Sequence, residues 1–133
     1  MRVLDTDVCV AILRGDSRVR DRRQATLDDV ATTWISAAEL FYGAAKGSNP
    51  EAKTTVVVDF LRSLEIFGLD METVRYFGGL KAELERGGTT LADADLLIGA
   101  ICLARDAVLV TGNVRHFERI SGLRIENWLR DSS

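Results

Sequence analysis

The chain has 133 residues, 47% hydrophobic and 28% charged, with a net charge of -3 and a sequence pI near 5.2. That is one domain's worth of chain, long enough to bury a core, and a single domain over residues 1–133 is expected. A lone proline, no fixed-period repeat and no low-complexity run exclude the fibrous and disordered classes, and the longest apolar segment, Leu96 to Ala104, falls short of the roughly 18 residues of a membrane span. Asp5 and Asp7 interrupt the apolar start, so no signal peptide is read and cytoplasmic residence is expected. Cys9 and Cys102 form no Cys-x-x-Cys pair and read as two buried thiols in a reducing compartment. His116 is the only histidine, which excludes a histidine-rich zinc site, and no serine nucleophile is placed near it for a Ser-His-Asp triad. The acidic pI counts against nucleic acid as a partner unless several acids share one bound cation, which would reverse the local field.

In chain order, an apolar run ending in Val3 and Leu4 reads as a first strand that stops at Asp5. Asp7 is placed as the N-cap of a short helix through Leu13, with Gly15 as its stop. A basic helix spans about Ser17 to Ala25, and its Arg18, Arg20, Arg22 and Arg23 read either as a solvated face or as a binding surface. Val30 to Ile35 is rich in β-branched and aromatic residues and predicts a second strand, with a helix from Ala37 to about Lys46 behind Ser36. Gly47 to Pro50 marks a turn, and Val57, Phe60, Leu61 and Leu64 have helical spacing between Glu51 and Leu64. Ile66 to Leu69 is a third strand candidate. Asp70 is expected to cap a helix that buries Val74, Phe77, Leu80 and Leu84 and stops at Gly87 and Gly88. Ala94 to Arg105 is apolar on nearly every side and predicts a buried helix. Ala107 to Val110 comes next as a fourth strand, and Leu123 to Ile125 as an edge strand. Alternating strands and helices predict a three-layer α/β domain with a mostly parallel sheet of four to five strands.

Ligands in such sheets bind outside the carboxyl ends of the strands. Asp5 stands just past one strand, Glu39 in the first turn expected for the next helix, and Asp95 in the first turn of the buried helix. Helical side chains lean toward their own N-terminus, which brings Glu39 and Asp95 toward Asp5. Each has a plainer reading: Ser36-x-x-Glu39 is also a capping box, and an aspartate is favoured at any helix start. Asp93 and Asp95 diverge by roughly 200° within a helix, so Asp95 ranks above Asp93. Converging carboxylates repel and raise one another's pKa unless a cation lies among them. An all-oxygen set suits Mg²⁺ or Mn²⁺, and such an ion can activate water and neutralise a phosphate under in-line attack.

The stretches VLDTDVCVAIL, ISAAELFYGA, ADADLLIGAICLA and VLVTGNVRHFERISGLRIENW together resemble a PIN domain, and more narrowly a VapC-type toxin of a bacterial toxin-antitoxin pair. The resemblance covers nearly the whole chain in the family's order and spacing. It implies a PIN fold, a Mg²⁺- or Mn²⁺-dependent endoribonuclease directed at tRNA or ribosomal RNA, a VapB-type antitoxin that blocks the site, and a homodimer. Position by position it implies Asp5, Glu39 and Asp95 as catalytic metal ligands and Asp93 as an additional catalytic acid, with Thr6, Thr111 and Asn113 orienting water or phosphate. Two departures stand out. Asp7 occupies a position where Asn is usual, and His116 one where an acid often precedes the phenylalanine.

Other functions compete. Asp5-Thr6-Asp7 resembles the D-x-D of haloacid-dehalogenase-type phosphatases, but that reading, like a receiver domain, needs a lysine late in the chain, and Lys46, Lys53 and Lys81 do not supply it. A PIN-like module that acts only by binding antitoxin or RNA is the non-enzymatic alternative.

Overall fold

Val3 and Leu4 end the strand β1 (Arg2–Leu4), which lies at the centre of a five-stranded sheet of order β3-β2-β1-β4-β5. The computed structural model describes residues 1–130. Every strand pairing is parallel: β1 with β2 (Val30–Thr33) and β4 (Val108–Val110), β2 with β3 (Glu65–Phe67), and β4 with β5 (Ile125–Glu126). Chain order runs outward from β1 to β3 and then crosses to β4 on the other side of β1. The strand order therefore reverses between β1 and β4, and the crevice of a parallel sheet opens at the carboxyl ends of such a pair.

Adjacent residues of a strand face opposite sides of the sheet. Val3 and Leu109 enter one core with Leu80, Leu96, Ile98 and Phe117, while Leu4 and Val110 enter another with Val8, Leu40, Val57 and Trp128. The first core lies under α5 (Met71–Arg86), α6 (Asp93–Ala104) and the single turn α7 (Val114–Phe117). The second lies under α1 (Thr6–Leu13), α2 (Ser17–Ala25), α3 (Trp34–Lys46) and α4 (Pro50–Leu61). The three-layer α/β architecture is as expected. Cys9 and Cys102 are buried, free, and pushed up to about 12 by burial, so neither thiol is reactive. Among the described residues no helix is long and apolar enough to cross a membrane.

Several boundaries differ from expectation, each for a local reason. The α1 helix begins at Thr6 with no intervening loop, so its cap is Asp5 and Asp7 lies inside the first turn. Strand β2 ends at Thr33, whose hydroxyl accepts from the Ser36 amide at 3.0 Å and starts α3 three residues early. Trp34 and Ile35 are therefore helical despite their strand propensity. On α5 it is Thr73 that is buried and Val74 that is 41% exposed. The one-turn α7 has too few residues for a hydrophobic period to show.

The basic helix α2 uses its arginines to brace the fold. Arg20 donates twice to the carbonyl of Ile12 (3.1 and 3.0 Å), satisfying a carbonyl near the end of α1. Arg22 lies 6.0 Å from the Trp128 ring, and Arg23 lies over Phe60 while donating to the Ser63 hydroxyl at 3.2 Å. Arg18 pairs with Asp16.

Candidate active site

The reversal point between β1 and β4 is marked by Asp5, which is only 7% exposed. Its Oδ1 accepts from the Thr6 amide at 2.8 Å, and its Oδ2 accepts from the Thr111 hydroxyl at 2.7 Å across the β1/β4 junction. Burial pushes its carboxyl up to about 6 from an ordinary 3.8. The bonds from Thr111 and Thr6 oppose the rise, and the charges of Asp7 and Asp95 add to it. Two further acids thus lie close enough to Asp5 to repel it.

Glu39 sits in the second turn of α3, because that helix starts at Trp34. This excludes the capping-box reading of Ser36 and Glu39, and the Glu39 carboxylate instead accepts from the Thr6 hydroxyl at 2.8 Å. Thr6 also shares a 2.9 Å hydrogen bond with the buried Ser36 hydroxyl. Asp5 and Glu39 are thereby linked through one residue, whose amide serves the first acid and whose hydroxyl serves the second.

Asp95 is half-buried in the first turn of α6, and its Oδ2 lies 2.7 Å from His116 Nε2. Asp93 opens the same helix but is exposed, and its contact is with Lys81 at 3.0 Å. The divergence expected from helical spacing separates the two acids, with Asp95 on the side of the site. Thr111 is fully buried and accepts from the Asn113 amide at 3.0 Å, while the Asn113 side chain is exposed and makes no capping bond to α7.

The segment after β4 thus reaches three acids in succession. Thr111 bonds Asp5, the Gly112 amide donates to Asp7 Oδ2 at 2.9 Å, and His116 bonds Asp95. Gly112 packs closely, since a Cβ there would fall 2.4 Å from Leu129 and 2.9 Å from the Asp7 carboxylate and force those side chains to shift. Sequence reasoning left His116 without a partner and gave Ser36 no part in the site. The available signal for His116 was its place beside Phe117, an apolar residue able to anchor one turn next to the candidate acids.

Asp7 Oδ1 is buried with no partner among the described residues. Burial raises the Asp7 carboxyl, with the Gly112 amide opposing the rise. Asp7→Asn keeps the shape, removes this charge and relieves Asp5. The variant is expected to gain about 1 kcal/mol at neutral pH, because the desolvated charge is gone while an amide oxygen still accepts from Gly112, as read from urea unfolding. A loss of stability would contradict this.

Among the described residues no three acidic, histidine or cysteine side chains stand close enough to enclose a metal ion. The chemistry of the set still fits a hard divalent cation. Its donors are carboxylate oxygens, and a buried acid beside like charges gains most from a cation's arrival. Glu39 is exposed, so its side chain has room to turn toward Asp5.

The PIN domain family matches residues 2–123. The chain is 35% identical over 127 residues to the tRNA(fMet)-specific endonuclease VapC of Salmonella typhimurium, covering 95% of this chain and 96% of that one. It is 34% identical over 128 residues to Ribonuclease VapC2 of Haemophilus influenzae, covering 96% and 97%. The fold is similar to the DNA-bound VapBC from Salmonella typhimurium, with TM-score 0.90, 35% identity and coverage of 96% and 97%. It is also similar to VapBC2 from Rickettsia felis bound to a promoter DNA fragment, with TM-score 0.89, 33% identity and coverage of 96% and 98%. With a family match across nearly its whole length and these relatives, the chain belongs to the PIN-domain family, as a VapC-type toxin of a VapBC toxin-antitoxin system.

Proposed function

We propose that this toxin is a Mg²⁺- or Mn²⁺-dependent endoribonuclease that hydrolyses phosphodiesters of tRNA or ribosomal RNA and is held inactive by a VapB-type antitoxin. The observation that carries the reading is the buried Asp5 at the β1/β4 reversal point, repelled by Asp95 and linked through Thr6 to Glu39. Asp5, Glu39 and Asp95 would hold the cation. When bound it supplies positive charge that offsets the charge developing on the phosphate and activates water for in-line attack. Thr111 and Thr6 fix the Asp5 carboxylate through both of its oxygens, and the exposed Asn113 would orient phosphate or water. The name of the Salmonella relative supports tRNA as the substrate class, and the VapBC complexes support the antitoxin as partner. A homodimer is proposed as well, supported by the exposed apolar Trp34, Leu69 and Met71, and light scattering on the antitoxin-free toxin tests it.

The absence of a closed trio of acids among the described residues favours a second reading, a module that binds antitoxin or RNA without cutting. One experiment separates the two. Antitoxin-free protein is incubated with total RNA in Mg²⁺, Mn²⁺ or EDTA, and the RNA ends are sequenced. Discrete new ends that need metal and vanish with Asp95→Asn are expected. A folded wild-type protein that creates no ends would leave the binding module.

A further inference from the structure

The histidine of α7 is built into the site with more care than a surface side chain receives. The α7 turn is anchored by Phe117, which is fully buried in the core beneath α6. The His116 ring packs edge-on against Phe117, with ring centroids 5.8 Å apart at 84°. Its backbone amide is tied back to the carbonyl of Asn113 at 3.2 Å. The ring is therefore held by Phe117 and its backbone by Asn113 before it meets Asp95. At 29% and 28% exposure, His116 and Asp95 are both shielded from most solvent, unlike Lys81 and Asp93 at 43% and 60%.

We infer that His116 is a positioning residue for Asp95: it donates Nε2–H to Asp95 Oδ2 and so presets that carboxylate for a divalent cation. The inference rests on the proposal that Asp95 is one of the ligands. A carboxylate oxygen has no proton to give, so the 2.7 Å contact requires the proton on Nε2 when Asp95 is ionised. Among the described residues no hydrogen bond is made to Asp95 Oδ1, which leaves that oxygen for an ion. Fixing one carboxylate oxygen removes rotamers that would otherwise be lost when the cation binds, and ligating carboxylates are commonly oriented in this way. The arrangement parallels that of Asp5, whose Oδ2 is held by Thr111. One short segment after β4 presets two acids that lie on different elements.

The test measures Mn²⁺ binding to the full chain by calorimetry and by the loss of the free-ion paramagnetic resonance signal. The proteins are wild type, His116→Phe, His116→Gln and Asp95→Asn, each with a melting curve. His116→Phe keeps the ring contact with Phe117 but loses the donor, and is expected to bind Mn²⁺ about 10–100-fold more weakly. His116→Gln retains an amide donor near the same reach and is expected to recover most of that loss. In RNA cleavage the His116→Phe defect should appear as a shift of the Mn²⁺ activation curve to higher concentration, with the maximal rate kept. Wild-type Mn²⁺ affinity in His116→Phe, alongside weakened binding in Asp95→Asn, would overturn the positioning role and leave the metal site standing. Unchanged binding in Asp95→Asn would overturn the metal-site reading itself. Because the chain has one histidine, any imidazole nitrogen seen coupled to bound Mn²⁺ by pulsed resonance belongs to His116. Direct coordination of that kind would also overturn the inference. Should the phenylalanine variant fail to fold, His116→Ala carries the same expectation and the same reversal.

Discussion

Asp5→Asn is expected to abolish RNA cleavage while making the metal-free protein more stable at neutral pH. The loss of activity should be at least about 10³-fold, because a metal-assisted step draws several kcal/mol from its ion. The gain in stability comes from the raised carboxyl. An acid whose folded pKa lies above its unfolded value contributes stability that is complete below the unfolded value and is lost as pH rises through the folded one. For Asp5 that window runs from 3.8 to about 6. A shift of roughly two units corresponds to about 3 kcal/mol carried as a penalty at pH 7.5. Asparagine removes the charge, keeps an oxygen for the Thr6 amide and offers an N–H to Thr111 Oγ1. The exchanged bond is weaker than the one to an ionised acid, so a net gain of about 1–2 kcal/mol is expected. Melting curves in EDTA should separate variant from wild type at pH 7.5 and converge near pH 4. Full cleavage by a folded variant, or a stability gain that is the same at both pH values, would contradict the assignment.

Thr111→Val tests the same carboxylate from the other side and should have the opposite effect. The hydroxyl is fully buried, donates to Asp5 Oδ2 at 2.7 Å and accepts from the Asn113 amide at 3.0 Å. Valine fills the space and leaves both partners without their bond. The cost at pH 7.5 should be about 2–3 kcal/mol, the worth of a hydrogen bond to a charged group. At pH 5, where Asp5 is largely protonated, the deficit should shrink, and in the Asp5→Asn background it should fall toward the value of a neutral bond. Urea unfolding of the four proteins of this cycle at two pH values isolates the pair term. Equal losses in every background and at both pH values would show that Thr111 matters for packing alone.

The fold was legible because its strands end where the apolar runs end. Val3 and Leu4 stop at Asp5, Val110 stops at Thr111, and the layers result from strands alternating with helices. The divergence of Asp93 and Asp95 was legible too, since two adjacent-but-one residues within a helix cannot share a face. What sequence left ambiguous were junctions without loops. A capping residue is recognised by the apolar helix residues downstream of it, and both Asp5 and Asp7 precede such residues. The choice fell to Asp5 because β1 passes directly into α1. Trp34 and Ile35 carry strand propensity, yet Thr33 turns the chain before them, and this early turn frees Glu39 from the capping role its spacing suggested. The pairing of His116 with Asp95 spans 21 residues and depends on the anchored turn of α7, which no local pattern encodes.

Two of the contacts that hold the acids span most of the chain. Thr111 and Asp5 are 106 residues apart, and Gly112 and Asp7 are 105 apart. A growing polypeptide emerges from the ribosome N-terminus first, so Asp5, Asp7 and Glu39 leave the tunnel long before the segment that secures two of them. Neither the central strand pair β1/β4 nor the Asp5–Thr111 bond can form until β4 has emerged. Non-local contacts of this kind come late in folding. A nascent chain that has not yet exposed β4 therefore carries the first acids without their framework. The order of synthesis thus leaves an interval in which the first acids exist on the ribosome without the segment that holds them.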